Sequence, residues 1–300
     1  MKKSVIRRRL IEPRSGVEAE TEGKDGGVQS VNRALTLIET LAEDDEGYRL
    51  TDLAVRTGLS TSTVHRLLTT LEKRRFVQFD RSEAKWHIGA RSFAVGSTFA
   101  RRRNFVAHAM PYLRKLRDLT RETANLAVVD DETIIVLTRM ESREIMRSLT
   151  KVGGRVAMVA SGVGKAVLAT YSDEDVNAII HRQGMPRLTE KSIVRPGELF
   201  KALQIVRQRG FAVDDEEARM GLRCIAAVVY NDCSEPLAAI SVSGMTSRIT
   251  EERVPIIGNI VRDVAAELTI ALGGVMPVVQ GKSLAQRNFA YIQIFTFTSL

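Results

Sequence analysis

Apolar residues recur three and four apart in "QSVNRALTLIETLAE", so that Ala34, Leu35, Leu37, Ile38 and Leu41 form one helical face. Ser30 stands where a helix cap belongs. After the polar loop "DDEGYR" the same period returns twice in "LTDLAVRTGLSTSTVHRLLTTLEKRR". Leu50, Leu53 and Ala54 face inward on a first short helix. Gly58 ends it, because glycine readily takes the left-handed conformation of a sharp turn. Ser60 caps a second helix with Val64, Leu67, Leu68 and Leu71 inside and Thr61, Ser62, Thr63, His65, Arg66 and Thr69 outside. The period then drops to two: "FVQFDRSEAKWHIG" alternates about the turn "DRSEA" and reads as a hairpin.

Two short helices followed by a hairpin make a winged helix-turn-helix, whose second helix enters the major groove. An ordinary helical hairpin would explain the apolar positions equally well. It would not explain an outer face of short hydrogen-bonding side chains set among arginines. Residues 47–103 carry twelve Lys or Arg against four Asp or Glu, which is most of the excess behind the net charge of +8. That concentration points to a polyanionic partner, double-stranded DNA. The candidate contacts are Arg33, Ser60, Thr61, Ser62, Thr63, His65 and Arg66, with Arg81 and Lys85 of the wing placed for phosphates.

From Ala90 a long, mostly helical connector is expected, bent or interrupted near Pro111. The second half changes character. "NLAVVDDETIIVLTRM" and "IMRSLT" read as strands, with Asp130 and Asp131 at a turn. "SDEDVNAIIHRQG" and "RPGELFKALQIVRQRG" read as helices stopped by glycine. "FAVDDEE", "LRCIAAVVYN" and "PLAAISVSG" are strands again, and "ERVPIIGNIVRDVAAELTIALGG" is a closing helix. This irregular alternation fits an α+β fold, an antiparallel sheet with packed helices, better than a doubly wound parallel one. The expected divisions are a flexible arm over 1–27, a winged helix-turn-helix over 28–90, a helical linker over 91–122, a sheet domain over 123–274 and a tail over 275–300.

Within the sheet domain, "ASGVGKAVLA" at 160–169 sets glycines at the mouth of a helix. A nucleotide-binding loop would need a glycine at Val159 and a Ser or Thr at Ala166, and has neither. What remains is a helix start, whose unpaired N–H groups suit a small anion, or a tight turn into a packed helix.

Composition narrows the rest. With 44% hydrophobic and 27% charged residues, the 300-residue chain has material for about two globular domains. No segment reaches the roughly 18 apolar residues that span a bilayer, and no apolar run follows the basic start, so no membrane is expected. Two cysteines, Cys224 and Cys233, suit a reducing cytoplasm. Histidines 65, 87, 108 and 181 form no metal-ligand spacing with them, and no cofactor motif is present.

With these motifs in order, the chain resembles the IclR family of bacterial transcription regulators over about Gln29 to Gly274. The resemblance rests on "VQSVNRALTLIETLAE" and "LTDLAVRTGLSTSTVHRLLTTLEKRRFV" in the first half. In the second it rests on "GGRVAMVASGVGKAVLA", "RGFAVDDEEARMGLRCIAA" and "PLAAISVSGMTSRITEER". It implies a GAF-like effector domain closing around a small carboxylate or 2-oxo acid such as glyoxylate or pyruvate. The implied pocket uses Ser161, Gly162, Val163, Asp214, Cys224, Ser241 and Ser243, with apolar walls from Ile145, Val156 and Leu222. The residues agree in part: Ser241 and Ser243 lie two apart on a strand and face the same side. Asp214 beside a carboxylate would repel it unless a water intervenes or a proton is shared. Its neighbours Asp215, Glu216 and Glu217 are expected in solvent or on arginines.

The reading is a ligand-controlled repressor, a homodimer or tetramer on a palindromic operator. The alternative, an enzyme acting on a small 2-oxo acid with an accessory nucleic-acid domain, lacks a recognisable acid–base pair, metal set or cofactor motif. An architectural DNA-binding protein would leave the second half unexplained. Beyond Gly274 the family pattern ends, and the last twelve residues alternate like a strand.

Overall fold

The computed structural model describes residues 28–102, 105–130, 132–142 and 151–277. The expected arm at 1–27, the strand "IMRSLT" with Ile145, and the tail beyond Pro277 lie outside the described residues. Contacts divide the chain between Val95 and Gly96 into two units.

The first unit holds α1 (Gln29–Leu41), α2 (Leu50–Thr57), α3 (Thr61–Lys73), β1 (Val77–Asp80) and β2 (Lys85–Ile88). Leu37 and Leu41 of α1, Leu53 of α2, Val64 and Leu68 of α3, and Val77 and Trp86 of the hairpin close one core. Two details of α1 differ from the sequence reading. Ser30 lies inside the helix and Val28 takes the cap position without a side-chain bond. Leu35 is exposed, and Thr40 completes the inner face in its place. Gly58 closes α2 at φ +66°, and Ser60 caps α3 by accepting the Thr63 N–H. The antiparallel pair β1–β2 has Phe79 opposite Trp86, and Trp86 also pairs with Tyr48 ahead of α2.

Helix α4 (Ala90–Arg102) runs across the division, and α5 (Phe105–Thr120) follows. Pro111 sits inside α5 without interrupting it, although its ring removes the N–H that would reach the Ala107 carbonyl. The second unit continues with β3 (Thr123–Asp130), β4 (Thr133–Met140), β5 (Arg155–Ala157), α6 (Gly162–Leu168), α7 (Asp173–Gln183) and α8 (Pro196–Arg209). Then come β6 (Ala212–Asp215), β7 (Leu222–Tyr230), β8 (Pro236–Met245) and α9 (Val254–Ala271). The six strands form one antiparallel sheet in the order β5-β4-β3-β8-β7-β6.

Both faces of this sheet are covered, which is why β7 reads as the nearly unbroken apolar run "CIAAVVY". On one face Leu126, Ile225, Ile240 and Val242 meet α5 and α9 through Leu113, Leu116, Val261 and Leu268. On the other, Ala127, Val136, Ala226 and Ala239 meet α6, α7 and α8 through Val167, Val176 and Leu203. No helix among the described residues is long and apolar enough to cross a membrane.

Candidate functional site

In the first unit, Thr61, Ser62, His65 and Arg66 are exposed along the outer side of α3, while Thr63 is half-buried. The start of α3 is internally tied: Ser60 Oγ lies 2.8 Å from Thr63 Oγ1 and 3.2 Å from Ser62 Oγ. Thr69 turns its hydroxyl back onto the His65 carbonyl at 2.8 Å, so it offers less outward than its position suggests. Arg66 and Arg81 are exposed and have no ion-pair partner among the described residues. Lys85 is different. Its ammonium lies 3.0 Å from the Glu83 carboxylate, which holds its pKa above the ordinary value and partly cancels its charge. Arg33 is half-buried on α1.

A cleft of about 600 Å³ runs between α3 and the hairpin, lined among others by His65, Thr69, Phe79 and Trp86. The start of α2 adds Arg49 and Thr51 to its rim, two residues the helical pattern alone gave no reason to single out. Phe79 and Trp86 pack against each other with ring centroids 4.9 Å apart and planes tilted by 45°, giving the cleft an aromatic side.

In the second unit the sheet register gathers a polar row on the face beneath α6. Asn125 pairs with Ser241, Thr123 with Ser243, Ser243 with Cys224 and Cys224 with Asp214. Directly opposed residues of antiparallel strands share a face, so all of these point towards α6. Asn125 Nδ2 donates to both Ser241 Oγ (3.4 Å) and Ser243 Oγ (3.3 Å), and the two serine hydroxyls also hydrogen-bond the Cys224 sulfur. Asn125 lies 116 residues from Ser241 and was not singled out from sequence. The row is closed at Ser241, and partly open where Leu222, Cys224 and Ser243 retain some exposure.

Gly162 fits because it has no side chain: a Cβ there would stand 2.9 Å from the Cys224 carbonyl oxygen and 3.2 Å from its sulfur. Ser161 is occupied locally. Its hydroxyl donates to the Ala157 carbonyl at 2.8 Å and accepts the Gly164 N–H at 3.0 Å. Val163 turns its side chain into the apolar core, and no described residue supplies an acceptor to the N–H of Gly162 or Val163. Val156, expected as a pocket wall, pairs with Ile134, which pairs in turn with Val129. Val129 is four residues along β3 from Asn125, about 13 Å at strand rise, so the register sets Val156 apart from the polar row.

The charged end of the row is Asp214, only 6% exposed. Its Oδ1 accepts the N–H of Glu217 (2.8 Å) and of Ala218 (3.3 Å), and no described residue donates to Oδ2. Burial and the neighbouring Glu217 carboxylate push its carboxyl up to about 6, while Lys165 and the two backbone bonds oppose the rise. Glu217 is itself buried against the Lys165 ammonium, with Oε2 unpartnered among the described residues. The expectation that Glu217 sits in solvent or on an arginine is thereby corrected: its partner is a buried lysine of α6. Asp215 pairs with Arg223, and Glu216 with Lys191. Cys224 keeps some residue exposure, yet protein surrounds its sulfur. Burial and Asp214 push the thiol up to about 11, against Ser243, Ser241 and Lys165. It is therefore a neutral thiol near neutral pH rather than a ready nucleophile.

Two sequence profiles match the two halves. The IclR helix-turn-helix domain covers residues 30–81, and the C-terminal domain of the bacterial transcriptional regulator IclR covers residues 97–270. The acetate operon repressor of Salmonella typhimurium is 43% identical over 258 residues, spanning 85% of this chain and 94% of its own. The chain belongs to the IclR family. The transcriptional repressor IclR of Escherichia coli is likewise 43% identical, over 83% of this chain and 92% of its own. Among solved structures, an IclR regulator from Alicyclobacillus acidocaldarius superposes with TM-score 0.72 at 26% identity, covering 83% of this chain and all of that one. An IclR homologue from Microbacterium hydrocarbonoxydans, complexed with 4-hydroxybenzoate, superposes with TM-score 0.68 at 22% identity over 81% of this chain and 99% of its own. The protein is thus an IclR-family transcriptional repressor, with a helix-turn-helix unit ahead of an effector-binding C-terminal domain. Its named relatives are regulators.

Proposed function

We propose that the chain is a cytoplasmic repressor that binds a palindromic operator as a homodimer or a dimer of dimers, and that a small carboxylate or 2-oxo acid such as glyoxylate or pyruvate controls it. Residues 28–90 hold DNA and residues 123–274 hold the effector, with 91–122 between them. Thr61, Ser62, Thr63, His65 and Arg66 approach base edges or phosphates in the major groove. Arg81 holds the backbone from the wing, and Arg49 and Thr51 line the cleft beside His65 of α3.

The observation that carries the effector reading is the polar row on an otherwise apolar sheet face. Hydroxyls at Ser241 and Ser243, whose oxygens accept from Asn125, are donors suited to an anionic oxygen. The start of α6 lies against Cys224 at Gly162, on the same side. A carboxylate bound to a homologue of the same fold supports the ligand class.

A thermal-shift panel of glyoxylate, pyruvate, 4-hydroxybenzoate and ATP tests it. A ligand that binds only the folded chain at a hundred times its Kd adds about 2.7 kcal/mol of apparent stability. A shift with an oxo acid and none with ATP is the expected result. No shift with any acid removes the carboxylate effector from the proposal while leaving the DNA-binding unit intact.

A further inference from the structure

The polar row ends in an imbalance of charge. Beneath α6 two buried carboxylates, Asp214 and Glu217, share one buried ammonium, Lys165, and the close ion pair of that ammonium is with Glu217. Among the described residues, Asp214 has two backbone N–H donors on one oxygen and no donor on the other. A carboxylate entering the row would be a third anion against one cation in a place with little water. Ionised like charges in such surroundings repel strongly, and a proton relieves them.

We propose that Asp214 enters the effector complex as the neutral acid, so that the site takes up a small carboxylate together with one proton and Asp214 Oδ2 donates a hydrogen bond to the ligand. The inference rests on the small-acid reading above and adds the protonation state that this reading requires. It makes Asp214 a specificity-determining residue. A neutral acid accepts an anionic neighbour and donates to a carbonyl or carboxylate oxygen, whereas an ionised one selects cations.

The surroundings of Asp214 support this. From α6 the Lys165 ammonium faces it, already paired. From the loop after β6 comes the Glu217 carboxylate, from β7 the neutral Cys224 thiol, and from β8 the Ser243 hydroxyl. Asp215 and Glu216, next along the chain, are engaged by Arg223 and Lys191. On β4, Arg139 shares the row's face opposite Asn125, but its guanidinium is on Glu141. It also lies four strand spacings from β6, roughly 19 Å. No other described cation stands against Asp214. The free carboxyl, held near 6, is already half-way to the required state in a mildly acidic solution.

Titration calorimetry of the full chain with glyoxylate and with pyruvate, from pH 5.5 to 8.5 in buffers of different ionisation enthalpy, tests the proposal. The expected result is uptake of close to one proton per ligand at pH 7.5, with Kd flat below pH 6 and rising about tenfold per pH unit above it. Asp214→Asn keeps a donor without a charge. It is expected to bind within a few-fold of the wild-type low-pH Kd at every pH, with no proton uptake. Asp214→Leu, which lacks the donor, is expected to bind weakly at every pH. Pyruvate or glyoxylate binding to the wild type with a flat pH profile and no proton uptake overturns the proposal while leaving the small-acid reading in place. Loss of binding in a folded Asp214→Asn at all pH values also overturns it, because the ionised carboxylate would then be what the ligand needs. Absence of binding to the wild type at any pH removes the small-acid reading, and the proposal with it.

Discussion

At Asp214 the fold holds a carboxyl group against its ordinary preference, and stability must record it. A carboxyl whose folded pKa is about 6, above the ordinary 3.8, contributes fully to stability below about pH 4. That contribution is lost as pH rises through 6. At pH 8 the ionised form in the unliganded chain therefore costs roughly 3 kcal/mol, at about 1.4 kcal/mol per pH unit. Asp214→Asn, whose Oδ1 can still accept the Glu217 and Ala218 N–H groups, should unfold at higher urea than the wild type at pH 8 and with little difference at pH 4. An equal shift at both values would place the effect in packing and not in charge. The same residues mark what a sequence reveals at this scale. Ser241 and Ser243 were legible together because two residues apart on a strand share a face. Asn125 was not, since the hydrogen bonds that join it to them span 116 and 118 residues. Lys165 and Glu217 sit 52 residues apart, and each reads as a surface charge until the folded chain buries both.

At the scale of elements, local rules and tertiary contacts divide the work. The helices of the first unit follow from period and caps, and Ser60 illustrates why. Its side chain accepts the Thr63 N–H at 3.3 Å, one of the donors that a helix start leaves without a partner. Ser60→Ala should cost about 1 kcal/mol in thermal or urea unfolding of the first unit, whereas Ser30→Ala should be near neutral. The second half of that contrast follows from α1 starting two residues earlier than its serine suggested, at Gln29 with Val28 as its cap. A serine two positions downstream of a valine looks like a cap in sequence. The backbone here turns helical before reaching it. Pro111 carries a similar lesson. A proline inside a helix forfeits one hydrogen bond, and burial of Leu113 and Leu116 in the sheet-facing core offsets the loss. The three-residue strand β5 had no alternation long enough to read, and it exists because Ile134 and Ile135 of β4 offer a paired edge.

The whole molecule is two units with separate cores, and its logic depends on their independence as much as on their coupling. Arg66→Ala on the exposed side of α3 removes a cation from the DNA face without touching the sheet. It should weaken operator binding by about 5- to 150-fold, or 1–3 kcal/mol, in fluorescence anisotropy at fixed salt. The thermal shift with effector should be unchanged, and a folded variant that lost both responses would refute this separation. The order of the pieces along the chain has a consequence for a molecule still being made. The first unit is complete once Val95 has left the ribosome, while β3 waits for β8 to supply its neighbour and the second half of the polar row. At ~5–20 residues per second, the stretch from Gly96 to Met245 takes on the order of ten seconds or more to synthesise. During that interval a nascent chain presents its recognition helix with no sensor behind it. Each newly made copy thus completes its helix-turn-helix unit before the sheet of its effector-binding unit can close.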